Sequence, residues 1–137
     1  MTTLSANEAV GQTVISVTSE AGFQIRDIVR FGSNVQEYRV TATATGTITI
    51  EALNKPAGTG LVAAASSGDQ VHRYWEFYQQ FEKAPGTSAS ASAASGSADE
   101  IHVVVVDEDG AISGKQHEVM ETYGFVSSAS DAKDSQG

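Results

Sequence analysis

The chain contains no cysteine and only two prolines among its 137 residues. The absence of cysteine excludes disulfides, thiolate nucleophiles, and zinc or iron–sulfur sites with cysteine ligands, and it is typical of a reducing compartment. Long apolar runs are also missing, because no stretch approaches the roughly 18 residues that a membrane-spanning helix needs. Residues 1–8 hold neither a basic nor an apolar segment, so we expect no signal peptide there.

Charged residues are scarce, and basic ones are the scarcest. Charged residues make up 18% of the chain, and 8 Lys and Arg against 17 Asp and Glu give a net charge of −9. Residues 99–137 alone hold nine acids and two bases, a net charge of −7. A nucleic acid or an anionic membrane requires a basic face, so we expect neither as a partner. Apolar residues, at 40%, are enough for a small core only.

Residues 13–53 show the pattern of short β-strands separated by turns. β-branched or alternating runs at 13–18, 28–31, 38–42 and 47–51 are divided by Gly, Asn and Ser. Strands at a spacing of roughly ten residues are typical of an antiparallel meander or small barrel. The pattern therefore predicts a small antiparallel β-barrel or meander over residues 1–70, with a fifth strand near residues 61–64.

Five of the ten aromatic side chains fall in residues 70–82. Strand alternation and helical spacing both fit them, and we favour a strand through about residues 71–77. Because aromatic side chains supply much of the area that a small core buries, we interpret the cluster as core. A sugar- or peptide-binding platform is the alternative. The cluster consists of Tyr74, Trp75, Phe77, Tyr78 and Phe81.

The second half of the chain, residues 71–137, contains an Ala/Ser tract at 84–98 that predicts a flexible loop. Residues 101–106 form a β-branched run without alternation, which is typical of a strand covered on both faces. A turn at 107–110, a short returning strand at 111–114, and a helical turn or two at 116–123 stopped by Gly124 are expected to follow. The whole is predicted to be mainly β with some α, a barrel followed by the start of an α/β layer.

Motifs that indicate catalysis or metal binding are weak throughout. Residues 107–110 resemble part of a calcium loop, but Gln116 stands where an EF-hand has glutamate, so we interpret them as a hairpin turn. His72, His102 and His117 lie 30 and 15 residues apart, without the close spacing of a metal site. Residues 58–63 match G-x-G-x-x-A, but a turn precedes them instead of a strand. We therefore expect no enzyme and no catalytic, cofactor-binding or metal residues.

Three blocks in the second half carry a more specific signal. Residues 75–88 read Trp-Glu-Phe-Tyr and then Phe-Glu-Lys-Ala-Pro-Gly-Thr-Ser. Residues 99–114 contain Asp-Glu-Ile-His-Val-Val-Val-Val-Asp-Glu-Asp-Gly and then Ile-Ser-Gly, and residues 125–134 read Phe-Val-Ser-Ser-Ala-Ser-Asp-Ala-Lys-Asp. In the same order, these blocks resemble the tail sheath protein of contractile-tailed, myovirus-type bacteriophages. The β-rich residues 1–70 are similar in character to the outer, variable domain of such proteins.

The resemblance implies a structural virion protein without catalytic or ligand-binding residues or cofactors. Sheath subunits stack as hexameric rings around a tail tube, after assembly in the host cytoplasm, and the sheath contracts to drive the tube through the host envelope. The implied partners are other sheath subunits and the tail tube. Family members are several times longer, and the family pattern continues past Gly137, so the resemblance implies a fragment that is monomeric alone. The alternatives are a stand-alone β-rich module that binds carbohydrate or peptide, and a hydrolase.

Overall fold

The computed structural model describes residues 2–129 and is mainly β. The chain divides into two compact units, Met1–Glu76 and Phe77–Gly137. No helix in the described range is long and apolar enough to span a bilayer. The elements in chain order are β1 (Thr2–Thr3), β2 (Val14–Ser16), β3 (Ile28–Phe31), β4 (Tyr38–Ala44), β5 (Thr47–Ala52), β6 (Gln70–Tyr74), a 3-10 helix (Tyr78–Gln80), α1 (Ala89–Ala93), β7 (Glu100–Asp107) and β8 (Glu118–Ser127).

The first unit is a curled antiparallel sheet of six strands in the order β1-β6-β3-β4-β5-β2, a half-barrel. Its two outermost strands approach each other through an antiparallel bridge between Leu4 and Val17. The Ser5 amide donates to the Ser16 carbonyl at 3.0 Å beside this bridge. The four strands expected between residues 13 and 53 are all present, so the mainly β, antiparallel character of the prediction is confirmed.

The core of the first unit follows from alternation along its strands. In β5, Ile48, Ile50 and Ala52 are buried, while Thr49 and Glu51 between them are half-buried, as expected of a strand with one face toward a core. Burying one such Ile side chain contributes about 1.5–3 kcal/mol. The core consists of Leu4, Ile15, Val17, Phe23, Val29, Phe31, Tyr38, Val40, Ile48, Ile50, Ala52, Leu61, Ala65 and Val71.

The fifth strand predicted near residues 61–64 is wrong. Leu61 is buried, but its amide donates to the Gln12 carbonyl at 2.8 Å, and its carbonyl accepts from the Gly11 amide at 2.7 Å. The apolar run is therefore held by a loop packed on residues 11–12. A sixth strand is present instead at β6, which pairs with both β1 and β3.

The pairing of β6 with β1 and β3 places residues 70–76 in the first unit, whereas the sequence suggested a boundary after residue 70. The strand expected over 71–77 ends earlier, at Tyr74. Arg26 holds the last residue of the unit, Glu76, in place. Its Nε donates to Glu76 Oε2 at 2.6 Å, and its guanidinium makes a second contact with the same carboxylate. A two-point Arg–carboxylate pair of this kind is geometrically specific.

The aromatic cluster at residues 74–81 does not form the core, which corrects the core interpretation. Trp75 is 39% exposed, and the other four aromatic residues are only half-buried. The physical reason is that the sheet ends at Tyr74, so the chain has left the barrel where most of these side chains occur. The aromatic residues that the core does use are Phe23, Phe31 and Tyr38.

The second unit contains an antiparallel hairpin formed by β7 and β8. Residues 111–114 lie in the connecting loop and not in a returning strand, and residues 118–123, expected to be helical, belong to β8. Gly124, expected to stop a helix, lies inside that strand. β8 is rich in Val, Thr, Tyr and Phe, which favour a pleated strand over a helix.

Helical structure in the described residues is confined to the 3-10 helix and α1. The helix α1 lies within the tract 84–98 that was expected to be a loop. Its N-cap is Ser88, whose side chain accepts a hydrogen bond from the Ala91 amide at 3.1 Å. An N-cap serine satisfies an amide that the first turn otherwise leaves unpaired, which explains why a short helix starts here.

Replacing Tyr38 by phenylalanine is expected to destabilise the first unit by about 1 kcal/mol. The Tyr38 side chain is fully buried, and its hydroxyl oxygen accepts from the Val62 amide at 3.2 Å. Burial raises the pKa of Tyr38 above its ordinary value of 10.0. Its stabilisation is therefore complete below pH 10 and is lost as the pH rises through the folded pKa. Urea unfolding at neutral and alkaline pH should show a smaller alkaline loss in Tyr38→Phe than in the wild type.

Candidate functional site

One face of the β7–β8 hairpin exposes a continuous apolar surface. Ile101, Val103 and Val105 are 46%, 37% and 44% exposed and alternate along β7. Their neighbours across the ladder include Val126, opposite Ile101, and Tyr123, opposite Val103. Alternate residues of a strand share one face, so these five side chains form one patch, named here the hairpin face. The expectation that this strand is covered on both faces is wrong.

A bulge in β8 keeps the hairpin face in register. From Ile101 to Val103 the chain of β7 advances by two positions, whereas β8 advances by three, from Val126 to Tyr123. Without correction, a spacing of three would put Val126 and Tyr123 on opposite faces. The extra residue is absorbed at Phe125, whose φ is 56°, because a bulge locally re-aims the chain.

On the opposite face of the hairpin, the region around His102 is covered by aromatic side chains. The Phe81 ring stacks on the His102 imidazole with centroids 3.9 Å apart, and Phe125 meets the same imidazole edge-on at 4.7 Å. Lys83 Nζ lies 5.3 Å from the Phe125 centroid. A Cβ on Gly124 would lie 3.1 Å from Phe81 Cδ1. The segment that carries Phe81 therefore packs closely on this side.

Asp99 joins three segments through one carboxylate. Its Oδ1 accepts from the Ser88 amide at 2.8 Å, and its Oδ2 accepts from the Ser88 hydroxyl at 2.7 Å and from the Ser127 hydroxyl. The Ser127 hydroxyl, and then the Ser88 amide and hydroxyl, lower the pKa of Asp99 from 3.8 to about 2. The start of α1, the start of β7 and the end of β8 are thereby connected.

These two clusters bring together the three sequence blocks that carry the phage-sheath resemblance. Phe81 and Ser88 come from the first block, Asp99 and His102 from the second, and Phe125 and Ser127 from the third. Residues 130–134 of the third block lie outside the described residues. Sequence reasoning named the blocks but missed these contacts, since no single block shows which of its side chains meets another.

Asp107 organises the hairpin loop. It is 3% exposed, and its carboxylate accepts from the amides of Gly110, Ile112 and Ser113 at 3.0, 3.0 and 2.6 Å, and from the Ser113 hydroxyl at 2.8 Å. The Ser113 amide is the main cause of the lowered pKa of Asp107. The chain does reverse direction after β7, but through a loop of residues 108–117 and not through a tight turn at 107–110, and the buried Asp107 carboxylate is engaged by that loop.

The three histidines lie in different settings. His72 is on β6 of the first unit, His102 is between aromatic rings of the second, and His117 closes the hairpin loop. Among residues 2–129 no group of three His, Asp or Glu side chains is arranged to hold a metal ion. Within that range the buried Nε2 of His102 has no hydrogen-bond partner, whereas Ser88 and Ser127 both bond Asp99.

Residues 58–63, which match G-x-G-x-x-A, lie in a loop of the first unit, and no helix follows them before residue 78. They therefore lack the strand–turn–helix context of a dinucleotide site. Comparison with known proteins adds no family: no protein-family model, curated protein or solved structure gives a significant match to the chain.

Acid is expected to release the Asp99 cluster in a defined pH window. The folded pKa of Asp99 is about 2, below its ordinary value of 3.8. The stabilisation from this carboxylate is therefore complete above pH 3.8 and is lost as the pH falls toward 2. A carbon-detected NMR titration of the Asp99 carboxyl checks this, and a midpoint at or above 3.8 would contradict it. Asp99→Asn should remove that part of the acid sensitivity.

Proposed function

We propose that the chain is part of a contractile phage tail sheath subunit, a structural virion protein that polymerises around a tail tube. The observation that carries this proposal is the order of the three blocks at 75–88, 99–114 and 125–134. Their described side chains meet in two clusters, Phe81–His102–Phe125 and Ser88–Asp99–Ser127. Blocks that fold onto one another behave as a single structural motif, and this supports treating their resemblance as one signal.

The hairpin face supports an assembly role. Soluble monomers rarely leave large contiguous apolar patches in water, and such patches commonly mark protein–protein contacts. Five side chains of the hairpin face are each between a third and a half exposed. A subunit of a helical lattice buries such a face against a neighbour. In this proposal the β-rich first unit corresponds to an outer domain, and the second unit is the start of an α+β layer that carries lattice contacts.

Immunogold electron microscopy of contractile-tailed particles tests the proposal. Antibodies raised against the purified chain should label the tails of particles from the source culture at regular axial intervals, and the interval should shorten after contraction. Antibodies pre-adsorbed with the chain are the control. Particles whose tails stay unlabelled, while the antibody still detects the chain in the same preparation, would overturn the proposal. Reading the coding region downstream is an independent test, and a sheath-like continuation is expected.

The second candidate function is a carbohydrate- or peptide-binding module, and the exposure of Trp75 favours it. Trp75 is 39% exposed and follows Tyr74, which lines an open groove of about 530 Å³ in the first unit. The groove is also lined by Arg73, His72 and Phe23. Since Trp75 is the single tryptophan, its fluorescence reports binding nearby. Saturable changes on titration with glycans or peptides would favour this function, and an unresponsive signal would remove it.

A further inference from the structure

We propose that the hairpin face docks onto an apolar protein surface flanked by lysine or arginine side chains, and not onto the hairpin face of a second copy of the chain. The face consists of Ile101, Val103, Val105, Tyr123 and Val126. This inference rests on the proposed function only in treating this face as a contact surface. It goes further by naming the chemistry of the partner.

The extent of the hairpin face argues against a dimer made through it alone. Five side chains that are 37–49% exposed supply on the order of a few hundred Å² of apolar surface. A stable pairwise interface needs about 800 Å² from each partner. Two hairpin faces stacked on each other fall well short of that area. The occupant must therefore add contacts beyond the apolar patch, and charged contacts at its edge are the available kind.

The charges around the hairpin face determine which charge the partner must carry at its edge. The described part of the second unit, residues 77–129, holds eight acidic side chains and two lysines. Glu121 pairs with Val105 across the ladder and lies on the face itself, where its carboxylate accepts from the Tyr123 hydroxyl. Glu108 and Asp109 are exposed in the loop at one end of the hairpin. The edge of the face is therefore anionic.

Neither lysine of residues 77–129 offsets this charge on the hairpin face. Lys83 lies over the Phe125 ring on the opposite side, and Lys115 Nζ pairs with Glu118 Oε2 at 2.7 Å in the loop region. The hairpin face of a second copy would therefore place acidic side chains opposite acidic side chains, and like charges across an interface oppose association. A cationic rim on the partner instead gives attractive contacts around an apolar centre, which is the usual arrangement of a specific interface.

Two synthetic peptides test the inference with the full 137-residue chain. Both are amphipathic helices with the same leucine face, which is flanked by lysines in one and by glutamates in the other. At low salt the lysine peptide should bind at least about tenfold more tightly, because several exposed charge contacts change sign between the two. Amide shifts in a nitrogen–proton NMR spectrum should concentrate at Val103, Val105 and Tyr123. Equal binding of both peptides, or shifts located elsewhere, would overturn the inference.

Matched variants separate apolar contact from general attraction to an acidic chain. Val103→Thr with Val105→Thr keeps strand-favouring shape and all charges but removes apolar surface, and it should weaken the lysine peptide by about tenfold. Glu121→Gln should weaken it by about threefold. Val104→Thr, on the opposite side of β7, is the control and should bind as the wild type does. Binding that survives Val103→Thr/Val105→Thr would overturn the inference.

Self-association of the chain is the outcome that would favour a second copy as the occupant of the hairpin face. Analytical ultracentrifugation should find the wild-type chain monomeric, and a dimer that Val103→Thr/Val105→Thr abolishes would overturn the inference in favour of a second copy. None of these measurements uses phage particles. Unlabelled tails would therefore overturn the sheath proposal without affecting the difference in binding between the two peptides. Equal binding of the two peptides would overturn this inference without affecting the labelling of the tails.

Discussion

Replacing Gly60 by alanine is expected to destabilise the first unit by about 2–4 kcal/mol. A Cβ at this position would lie 2.3 Å from the Gln12 carbonyl oxygen and 2.5 Å from that of Gly11. Both are backbone atoms, so no side-chain rotation relieves the clash. Gly11 and Gln12 are also hydrogen-bonded to Leu61, at 2.7 and 2.8 Å. Moving them would therefore disturb the packing of Leu61, which is fully buried in the core. Urea unfolding followed by circular dichroism measures the change.

Gly58→Ala is the matched control for Gly60→Ala. Nothing lies within 4 Å of a Cβ at Gly58, but its φ is +76°. Its cost is therefore the backbone cost of a left-handed alanine, about 1 kcal/mol, and involves no clash. The two glycines separate steric closeness from backbone conformation within one loop. Equal destabilisation by the two substitutions would show that the close approach at Gly60 relaxes without cost.

The strands of the first unit were predictable because alternation is a local property. Val40 and Ile50 are completely or almost completely buried, as their alternation with polar residues predicts. The role of Gly60 was not predictable in this way. The sequence shows a glycine pair in a turn, and only the folded chain brings residues 11 and 12 against it. A contact between segments so far apart leaves no periodic signal.

The hairpin of the second unit shows a different reason for failure. Gly124 after an amphipathic run indicates a helix end, but here it lies in a strand next to the bulge at Phe125. The bulge shifts the period of two, so β8 lost the alternation that would have identified it. In β7 the run of four valines contains no polar residue to mark the open side. An apolar run shows that a strand could be covered on both faces, but it does not show which other segment of the chain packs on each face. In β7 no such segment of the described chain covers the face of Ile101, Val103 and Val105.

The candidate site was correspondingly hard to predict. Sequence reasoning used Asp99 and Asp107 mainly for the net charge of residues 99–137, yet the Asp99 carboxylate accepts a hydrogen bond from Ser127, 28 positions away, and the Asp107 carboxylate accepts from residues up to six positions away. The chain reversal after Asp107 was identifiable because Asp and Gly favour turns for local reasons. The bond from Ser127 to Asp99 depends on the register of β7 with β8, which the sequence did not reveal. Local chemistry was therefore predictable and cross-strand chemistry was not.

Replacing Asp107 by alanine is expected to give the largest loss of order in the second unit, lowering its unfolding midpoint by roughly 5–10 °C. Three loop amides and the Ser113 hydroxyl would lose their acceptor together, and buried donors without partners are costly. Amide exchange at Gly110, Ile112 and Ser113 should accelerate most.

The control for Asp107→Ala is Asp109→Ala, two residues further along the same loop. Asp109 is exposed and accepts only from the Ala111 amide, at 3.0 Å, among the described contacts, so its removal should shift the midpoint by less than about 2 °C. The pKa of Asp107 is lowered below 3.8, so its stabilisation is present above that pH and disappears as the pH falls. Asp107→Ala should therefore resemble the wild type most closely in acid, and Asp107→Asn, which keeps the side-chain shape but loses the charge, should fall between them at neutral pH. A difference between Asp107→Ala and the wild type that persists unchanged down to pH 2 would contradict the role of the carboxylate, because only its ionised form accepts from all four donors.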